Sequence, residues 1–376
     1  MKIPFNKPFF AGSELDYIKD AVISGKISGN GKYTKMCQNY FESHFGFKKT
    51  LLTSSCTDAL EMAAILANIK EGDEVIMPSY TFVSTALAFV RQGAKIIFAD
   101  SYQNNPNIDA TKIEALITSK TKAIVPVHYA GVACDMDAIM ALAKKYNLLV
   151  IEDAAQAIDS YYVGADGEKR TLGSIGHLAA FSFHETKNII SGEGGMLAIN
   201  DKQFSERAEI IWEKGTNRSQ FFRGEVDKYG WVDTGSSFLP SDVTAAFLWG
   251  QLEHLENIQA KRRKLWEYYY KGFSKIAQDL SISLPIIPSY ATNNGHMFYL
   301  VFESLEKRTE CIEKLKKIEV LAVFHYISLH SSSYYNDKYE GDELKNSDMF
   351  TNTLLRLPMY YELNESDIDL IIKCLS

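Results

Sequence analysis

Two acidic residues and one basic residue lie at positions where their side chains could do chemistry. Glu152 and Asp153 follow an apolar run at residues 148–151 (LLVI), and Lys187 follows another at residues 178–183 (LAAFSF). A carboxylate that ends a buried strand costs stability unless it has a partner. Such an acid can ligate Mg²⁺, bind a ribose or pair with a cationic ring. A lysine shielded from water has a lowered pKa, which frees its amine to act as a nucleophile or base.

A phosphate site is the third candidate. Residues 53–58 (TSSCTD) are small and hydroxylated and lie between a predicted strand and a predicted helix. Free backbone N–H groups at a helix N-terminus bind phosphate. The same residue types also cap ordinary helices, acids often cap helices, and most lysines are solvated at the surface. Each candidate taken alone therefore also has a purely structural interpretation.

The three candidates together are more specific. A phosphate cradle, an acid and a lysine are what pyridoxal 5′-phosphate (PLP) requires, because the lysine forms the Schiff base and the acid keeps the pyridine nitrogen protonated. They occur in the order cradle, acid, lysine, and the glycine-rich stretch of residues 192–195 follows the lysine. The sequence therefore predicts a PLP site.

The elements that must position these residues form an α/β pattern. Apolar, β-branched runs alternate with helical patterns between about residues 49 and 200, which predicts a mostly parallel sheet covered on both faces. Ligands bind beyond the carboxyl ends of such strands. The predicted strands are residues 51–52, 74–77, 95–99, 123–127, 148–151, 178–183 and 195–199.

The pattern changes after about residue 241, which predicts a smaller second α/β unit. We place the boundary near residue 250, giving a large domain of residues 1–250 and a small C-terminal domain of residues 251–376. The predicted elements are helical sequence over 241–273, a strand at 297–302, a helix at 308–318, a strand at 320–327 and helices at 347–355 and 366–374.

Composition narrows the function classes. The 376 residues carry a net charge of −7, which argues against general nucleic-acid binding. The five cysteines are dispersed without zinc spacing, and no apolar run reaches the roughly 18 residues of a membrane helix. We expect a cytoplasmic protein with reduced thiols, no bound metal and no membrane segment.

One loop departs from the acidic character of the chain. Residues 214–228 (KGTNRSQFFRGEVDK) interleave basic and aromatic side chains, which suits a nucleoside diphosphate through charge and base stacking. The residues predicted to bind substrate here are Lys214, Arg218, Phe221 and Arg223. The alternative is a solvated surface loop.

Several long motifs resemble the DegT/DnrJ/EryC1/StrS family of sugar aminotransferases. They are residues 74–85 (EVIMPSYTFVST), 125–134 (VPVHYAGVAC), 181–188 (FSFHETKN) and 207–229, which contain EKGTNRSQFFRG. The resemblance covers essentially the whole chain. It implies the PLP-dependent aspartate-aminotransferase fold (type I), a homodimer with shared active sites, and transfer of the amino group of L-glutamate to a dTDP-linked keto sugar.

The resemblance also assigns roles to individual residues. Lys187 matches the Schiff-base lysine, and Asp153 matches the acid beneath the ring nitrogen. The other matches are Gln156 near the ring hydroxyl, Phe82 stacked on the ring, Cys56, Thr57 and Ser182 at the phosphate, and His325 and Tyr326 on the substrate side. Relatives often carry a GxN stretch whose Asn reaches the partner's phosphate, whereas this chain has Ser237, which has a shorter reach. For Phe82 the alternative is core packing within a helix.

Alternatives to this function remain open. Relatives with histidine in place of the lysine dehydrate their sugar, and the lysine here favours transamination. The others are a transaminase giving the gluco epimer or acting at C3, a PLP-binding regulator, and a nucleotide-binding α/β protein without PLP. The sequence lacks a DNA-binding extension for the regulator and a GxGxxG or P-loop for the nucleotide binder.

Overall fold

The computed structural model describes residues 2–376 and confirms the α/β class. Its α-helices are α1 Glu14–Ile23, α2 Lys32–Phe45, α3 Cys56–Leu66, α4 Val83–Val90, α5 Ala110–Ile113, α6 Met136–Tyr146, α7 Ser205–Trp212, α8 Arg218–Phe222, α9 Asp242–Leu252, α10 Leu255–Ser274, α11 Leu305–Lys317, α12 Lys345–Thr353 and α13 Glu365–Leu375. Its strands are β1 Lys49–Thr53, β2 Glu74–Pro78, β3 Lys95–Ala99, β4 Thr121–Ile124, β5 Leu149–Asp153, β6 Tyr161–Val163, β7 Lys169–Thr171, β8 Leu178–Ser182, β9 Gly195–Ile199, β10 Phe298–Val301, β11 Val323–Phe324 and β12 Leu354–Leu357.

The central sheet has seven strands in the order β1-β9-β8-β5-β4-β2-β3. Only β9 runs against its neighbours, pairing antiparallel with both β1 and β8. The remaining pairs are parallel. The carboxyl ends of β1, β2, β5 and β8 therefore meet at one edge, where the predicted phosphate cradle, acid and lysine all begin.

Apolar burial explains why this sheet is central. The strands are mostly buried, and their apolar side chains contribute to two large hydrophobic clusters, one on each face. Such strands have no polar face to give to water and must be covered on both sides. Helices are set by local signals as well: Asp135 caps α6 by accepting from Ala138 N at 3.1 Å, and Asn147 ends it with φ +52°.

A smaller sheet of order β10-β12-β11 lies in the C-terminal part of the chain, over a third hydrophobic cluster. Helix α10 spans two clusters, since Leu255 and Ile258 pack under the central sheet whereas Leu265 and Phe273 pack in the smaller core. The boundary near residue 250 stays a prediction.

Three sequence predictions in this region need correction, and one strand was missed. The helical stretch over 241–273 is two helices separated at Glu253 and His254. The strand predicted over 320–327 is only β11, because Tyr326 has a left-handed backbone with φ +54°. The helix predicted over 347–355 ends at Thr353, and a strand that was not predicted, β12, follows it in the middle of the small sheet.

Candidate active site

Asp153 is the last residue of β5 and is buried. Its Oδ2 accepts a hydrogen bond from the hydroxyl of Thr85 at 2.7 Å, and its Oδ1 accepts from the N–H of Ala155 at 3.1 Å. Burial raises the pKa of Asp153, which these hydrogen bonds and the charge of Lys187 partly offset. Within residues 2–376 no cationic side chain forms an ion pair with it. The carboxylate is thus held in place but lacks a direct cationic partner.

The neighbouring acid has a different role. Glu152 is fully buried and accepts hydrogen bonds from the backbone N–H groups of Gly173, Ile175 and Gly176 at 2.6–2.8 Å. Its Oε2 also lies 2.8 Å from Nε2 of His128. Glu152 therefore anchors the turn before β8, and of the two acids only Asp153 has its charge left for a ligand.

Lys187 lies in the loop between β8 and β9 and is half-buried. Burial lowers the pKa of its amine, and the nearby Cys56 and Asp153 raise it in part. The backbone N–H of Lys187 donates to His184 O at 2.9 Å, which fixes the start of the side chain. The acid and the amine thus lie close enough for their charges to interact, as predicted from their strand ends. We call the space around Cys56, Asp153 and Lys187 the chamber of Lys187.

The predicted phosphate cradle lies where β1 leads into α3. Ser55 caps the helix by accepting from Asp58 N at 3.0 Å. The first backbone bond of the helix is Ala59 N to Ser55 O, so the N–H groups of Cys56 and Thr57 precede it and face outward along the helix axis. This is the geometry of an anion site.

Gly195 explains why the glycine-rich return belongs to this site. Its backbone approaches the start of α3 so closely that a Cβ would lie 2.4 Å from Cys56 N and 2.4 Å from Ser55 C. Gly195 also pairs with Ser182, the last residue of β8. Only glycine fits here, and the fit places Ser182 beside the cradle.

Phe82, Gln156, His325 and Tyr326 line the same chamber. Phe82 precedes α4, the residue is 56% exposed, and its ring centre lies 6.1 Å from the ring centre of Tyr326. Core packing, the alternative for Phe82, is therefore wrong. Gln156 accepts from Ala130 N at 2.6 Å and donates to the hydroxyl of Tyr326 at 3.0 Å. His325 Nδ1 lies 2.7 Å from the Tyr129 hydroxyl, and burial lowers the pKa of His325.

All but one of the remaining predicted residues lie around a second cleft of about 980 Å³. Lys214, Arg218, Arg223 and Ser237 line it, together with Lys35 and Lys49 from the N-terminal part of the chain. Phe221 is not among the lining residues, which include its neighbour Phe222 instead.

Two ion pairs and two isolated β-bridges lie at this cleft. Arg223 forms ion pairs with Glu209 at 2.8 Å and Glu225 at 2.7 Å, so its charge is already compensated within the chain. Arg223 lies on a loop whose base is closed by two antiparallel β-bridges. They join Glu213 to Ser237 and Thr216 to Trp231 through the backbone. Of the residues predicted to bind the cofactor, Ser237 alone lines this cleft in one copy of the described chain, residues 2–376.

Sequence reasoning missed two groups at the chamber. Thr85 donates a hydrogen bond to Asp153. It lies three residues after Phe82, about one helical turn away, so the sequence spacing could have placed it near the predicted site. Arg356 acts electrostatically on Lys187 and follows two buried leucines in β12. A charge within an apolar strand is the same signal that drew attention to Asp153.

The fold and the site together define a PLP-dependent aminotransferase. Three observations show that the residues present fit the cofactor. Asp153 is a buried acid without an ion pair, Phe82 is an exposed aromatic residue, and the N–H groups of Cys56 and Thr57 lie at a helix start packed against Gly195. The model of the DegT/DnrJ/EryC1/StrS aminotransferase family matches residues 10–376. The chain belongs to this family and is a sugar aminotransferase whose cofactor is PLP.

Individual relatives agree with this membership. The spore coat polysaccharide biosynthesis protein SpsC of Bacillus subtilis is 31% identical over 99% of this chain and 95% of its own. Among solved structures, the aminotransferase TlmJ of Streptoalloteichus hindustanus is 27% identical with a TM-score of 0.89, covering 99% of this chain and 97% of its own. Spr1654 of Streptococcus pneumoniae, solved in its PLP form, is 25% identical with a TM-score of 0.88, covering 99% and 97%.

Residues 2–376 contain no group of three or more His, Cys, Asp and Glu side chains arranged to hold a metal ion. No helix in that range is long and apolar enough to cross a membrane. All five cysteines are free thiols.

Proposed function

We propose that this enzyme transfers the amino group of L-glutamate to C4 of dTDP-4-keto-6-deoxy-D-glucose, giving dTDP-4-amino-4,6-dideoxy-D-galactose and 2-oxoglutarate. The observation that carries the transfer chemistry is the half-buried Lys187 amine in one chamber with the unpaired carboxylate of Asp153. The long motifs at residues 74–85 and 181–188, which resemble the dTDP-4-amino-4,6-dideoxygalactose transaminases, support this sugar.

The residues would divide the work as follows. Lys187 would hold the cofactor through Nζ, Asp153 would face its ring nitrogen, and the N–H groups of Cys56 and Thr57 would receive its phosphate. When bound, PLP supplies an electron sink for the reacting carbon. The amine of Lys187, once released, would take the α-proton of L-glutamate and later deliver a proton to C4 of the sugar.

The proposed enzyme is a homodimer with shared active sites and a cytoplasmic member of a surface-glycan pathway, such as enterobacterial common antigen or O-antigen synthesis. Large apolar side chains support the dimer, because Trp231 is 85% exposed and Phe222 69% exposed on the loop beside the second cleft. We infer that in a two-fold dimer this loop would face the partner's chamber, because a two-fold interface brings the same surface of both copies together. Lys214, Arg218 and Ser237 would then serve the partner's substrate and phosphate.

The test is product identification. PLP-loaded enzyme is incubated with L-glutamate and dTDP-4-keto-6-deoxy-D-glucose, and the purified sugar is analysed by proton NMR. The proposal expects an axial nitrogen at C4 (the galacto product) and stoichiometric 2-oxoglutarate. An equatorial nitrogen would make the enzyme the gluco-forming type, and conversion only of a 3-keto sugar would move the reaction to C3; either result overturns the proposal.

A further inference from the structure

Asn188, the residue after Lys187, is the centre of a buried polar network. Its side-chain N–H₂ group donates to Gln259 Oε1 at 2.8 Å and to the backbone carbonyl of Asn294 at 3.0 Å. Its Oδ1 lies 2.7 Å from Nδ1 of His296. All four of these polar side chains are buried. The loop that carries the amine is therefore hydrogen-bonded to the C-terminal part of the chain.

The protonation of His296 follows from these bonds. A backbone carbonyl only accepts hydrogen bonds, so the amide nitrogen of Asn188 must face the carbonyl of Asn294, and its oxygen must face His296. Oδ1 of Asn188 then accepts from Nδ1–H of the ring, which leaves a lone pair on Nε2. Burial and the charge of Lys187 lower the pKa of His296, so the ring stays neutral. His296 thus holds Asn188 as a neutral donor.

Further hydrogen bonds fix the backbone on which His296 lies. Arg262 donates from Nη2 to His296 O at 2.7 Å and from Nε to Gly295 O at 3.1 Å. The N–H of His296 donates to Asn294 Oδ1 at 3.0 Å. Gly295 has φ +61°, and a Cβ on it would lie 2.7 Å from the backbone carbon of Arg262, so glycine is required. The imidazole therefore projects from a backbone with little freedom to move.

The same segment is bonded to the chain that follows the acid of the site. The side-chain N–H₂ group of Asn294 donates to the backbone carbonyls of Gln156 and Ile158, both at 2.8 Å. Gln156 lies three residues after Asp153. Residues 294–296 are therefore bonded both to the loop of the amine and to the turn after the acid. The position of the amine relative to the acid depends on this segment.

We propose that His296 is a positioning residue, which holds Lys187 at a fixed place relative to Asp153 through the side chain of Asn188. The inference rests on the proposed role of Lys187 as the group that takes and delivers the proton. Proton transfer needs its partners within hydrogen-bond reach, and a displacement of about 1 Å can slow a reaction about 10²-fold. The alternative is a network that stabilises the fold and has no effect on the amine.

The first measurement is made without cofactor. PLP-free wild type, His296→Leu and His296→Asn are labelled with trace acetic anhydride over a range of pH, and mass spectrometry gives the acetylated fraction of Lys187. We expect His296→Leu to raise the pH of half-maximal labelling by about one pH unit, because a released loop exposes to water an amine whose pKa is lowered by burial. His296→Asn should label like wild type, because its side chain keeps an N–H donor near the position of Nδ1.

The second measurement is the half-reaction with the amino donor. PLP-loaded proteins are mixed with excess L-glutamate, and the release of 2-oxoglutarate is timed over a single turnover. His296→Leu should react about 10- to 100-fold more slowly, because the amine is displaced from the reacting carbon. The L-glutamate concentration that gives half-maximal rate should stay within about threefold of wild type, because no contact with the donor is removed. His296→Asn should recover most of the rate.

His177→Leu is the matched control. His177 precedes β8, at the opposite end of that strand from Ser182, and its Nδ1 accepts from the N–H of Val150 at 3.0 Å. The substitution removes a structural histidine far along the strand from the amine. It should lower the melting temperature and leave both the labelling curve of Lys187 and the half-reaction unchanged.

Asn188→Ala tests the same hydrogen bond from its other side. It should repeat both effects of His296→Leu, and it replaces that variant if His296→Leu does not fold. Wild-type labelling and a wild-type half-reaction in these variants would overturn the inference, even with a lowered melting temperature. So would a His177→Leu protein with the same two changes. If wild type releases no 2-oxoglutarate from L-glutamate, the proposed donor fails, while the labelling curve still decides the role of His296.

Discussion

At the scale of single residues, the site depends on two adjacent acids with opposite surroundings. Glu152 receives three backbone N–H groups, whereas Asp153 receives one hydroxyl and one N–H and no ion pair. Burial raises the pKa of Asp153 above its unfolded value, so ionised Asp153 costs the cofactor-free fold stability. This cost grows as the pH rises from the unfolded pKa to the raised folded pKa and is constant above it. The cost is one that a cationic ring nitrogen would offset.

The first prediction separates these two acids. Asp153→Asn should leave the melting temperature of the PLP-free protein at pH 7 unchanged or raise it by about 1–3 °C, because a charge without an ion pair is removed. The same variant should lose activity by about 10²-fold or more. Glu152→Gln should lower stability by about 2–4 kcal/mol, because an amide N–H₂ then faces backbone donors. Thermal unfolding of both PLP-free variants is the measurement. A destabilised Asp153→Asn protein would contradict this account of Asp153.

The second prediction concerns Lys187. Lys187→Ala should lose multiple turnover by about 10³-fold or more, because the proposed base is absent. Its fold should persist, since no side-chain hydrogen bond of Lys187 is lost with the amine in residues 2–376. The check is initial rates of 2-oxoglutarate release without added amines. Sustained turnover by this variant would remove Lys187 from the chemistry.

Residue-scale prediction from the sequence worked where a strand end marked the position. Asp153 and Lys187 follow apolar runs, and parallel strands bring such ends together. Arg356 escaped notice because the run around it was divided between a predicted helix and a loop. Arg356 lies beside Tyr299 and Phe5, which are distant from it in sequence. No local sequence pattern reveals these contacts.

At the scale of elements, the start of α3 couples helix stability to the phosphate cradle. Ser55 caps the helix, and Gly195 of β9 packs directly against that cap. Losing the cap should fray the first turn, which carries the N–H groups of Cys56 and Thr57. The affinity for the cofactor should therefore fall when the first turn of α3 becomes less ordered.

The third prediction uses two matched caps. Ser55→Ala and Ser304→Ala should each cost about 1 kcal/mol of stability, because each serine accepts from the N–H three residues on, Asp58 at 3.0 Å and Lys307 at 3.3 Å. Only Ser55→Ala should also weaken PLP binding, by about fivefold. Fluorescence titration of PLP into both PLP-free variants measures this. Equal PLP affinity in the two variants would show that phosphate binding does not depend on the Ser55 cap.

Elements were predictable where periodicity was long and uninterrupted. Strands β2, β3 and β9 lie where the apolar runs predict them. Strand β12 was missed because the apolar pattern of α12 continues into it, and its extended shape is imposed by pairing with β10 and β11 on both sides. Such pairing is non-local, so propensity alone does not reveal it.

At the scale of the whole molecule, the second cleft and the exposed apolar loop belong to one surface. Trp231 is bridged to the cleft residue Thr216, and Tyr229 and Phe222 line the cleft. A large apolar patch of this kind is typical of a protein interface. In the proposed dimer this surface meets the chamber of Lys187 of a second copy, and the sequence pattern of one chain does not specify that contact.

The fourth prediction tests that surface. Trp231→Ser should raise the dimer dissociation constant by about tenfold or more, because large aromatic side chains dominate interfaces. Leu305→Ser, at an exposed apolar residue 42% exposed at the start of α11, should leave it unchanged. Sedimentation or light scattering over a dilution series measures both. A Trp231→Ser protein as dimeric as wild type would place the interface elsewhere.

The central claim is that Lys187 and Asp153 form a PLP site that carries an amino group from L-glutamate to a nucleotide-linked 4-keto sugar. The most direct measurement is the visible spectrum of purified protein loaded with PLP, recorded after L-glutamate and again after dTDP-4-keto-6-deoxy-D-glucose. The account predicts a yellow band that bleaches with the first addition and returns with the second. A protein that develops no such band with PLP present would contradict the site itself.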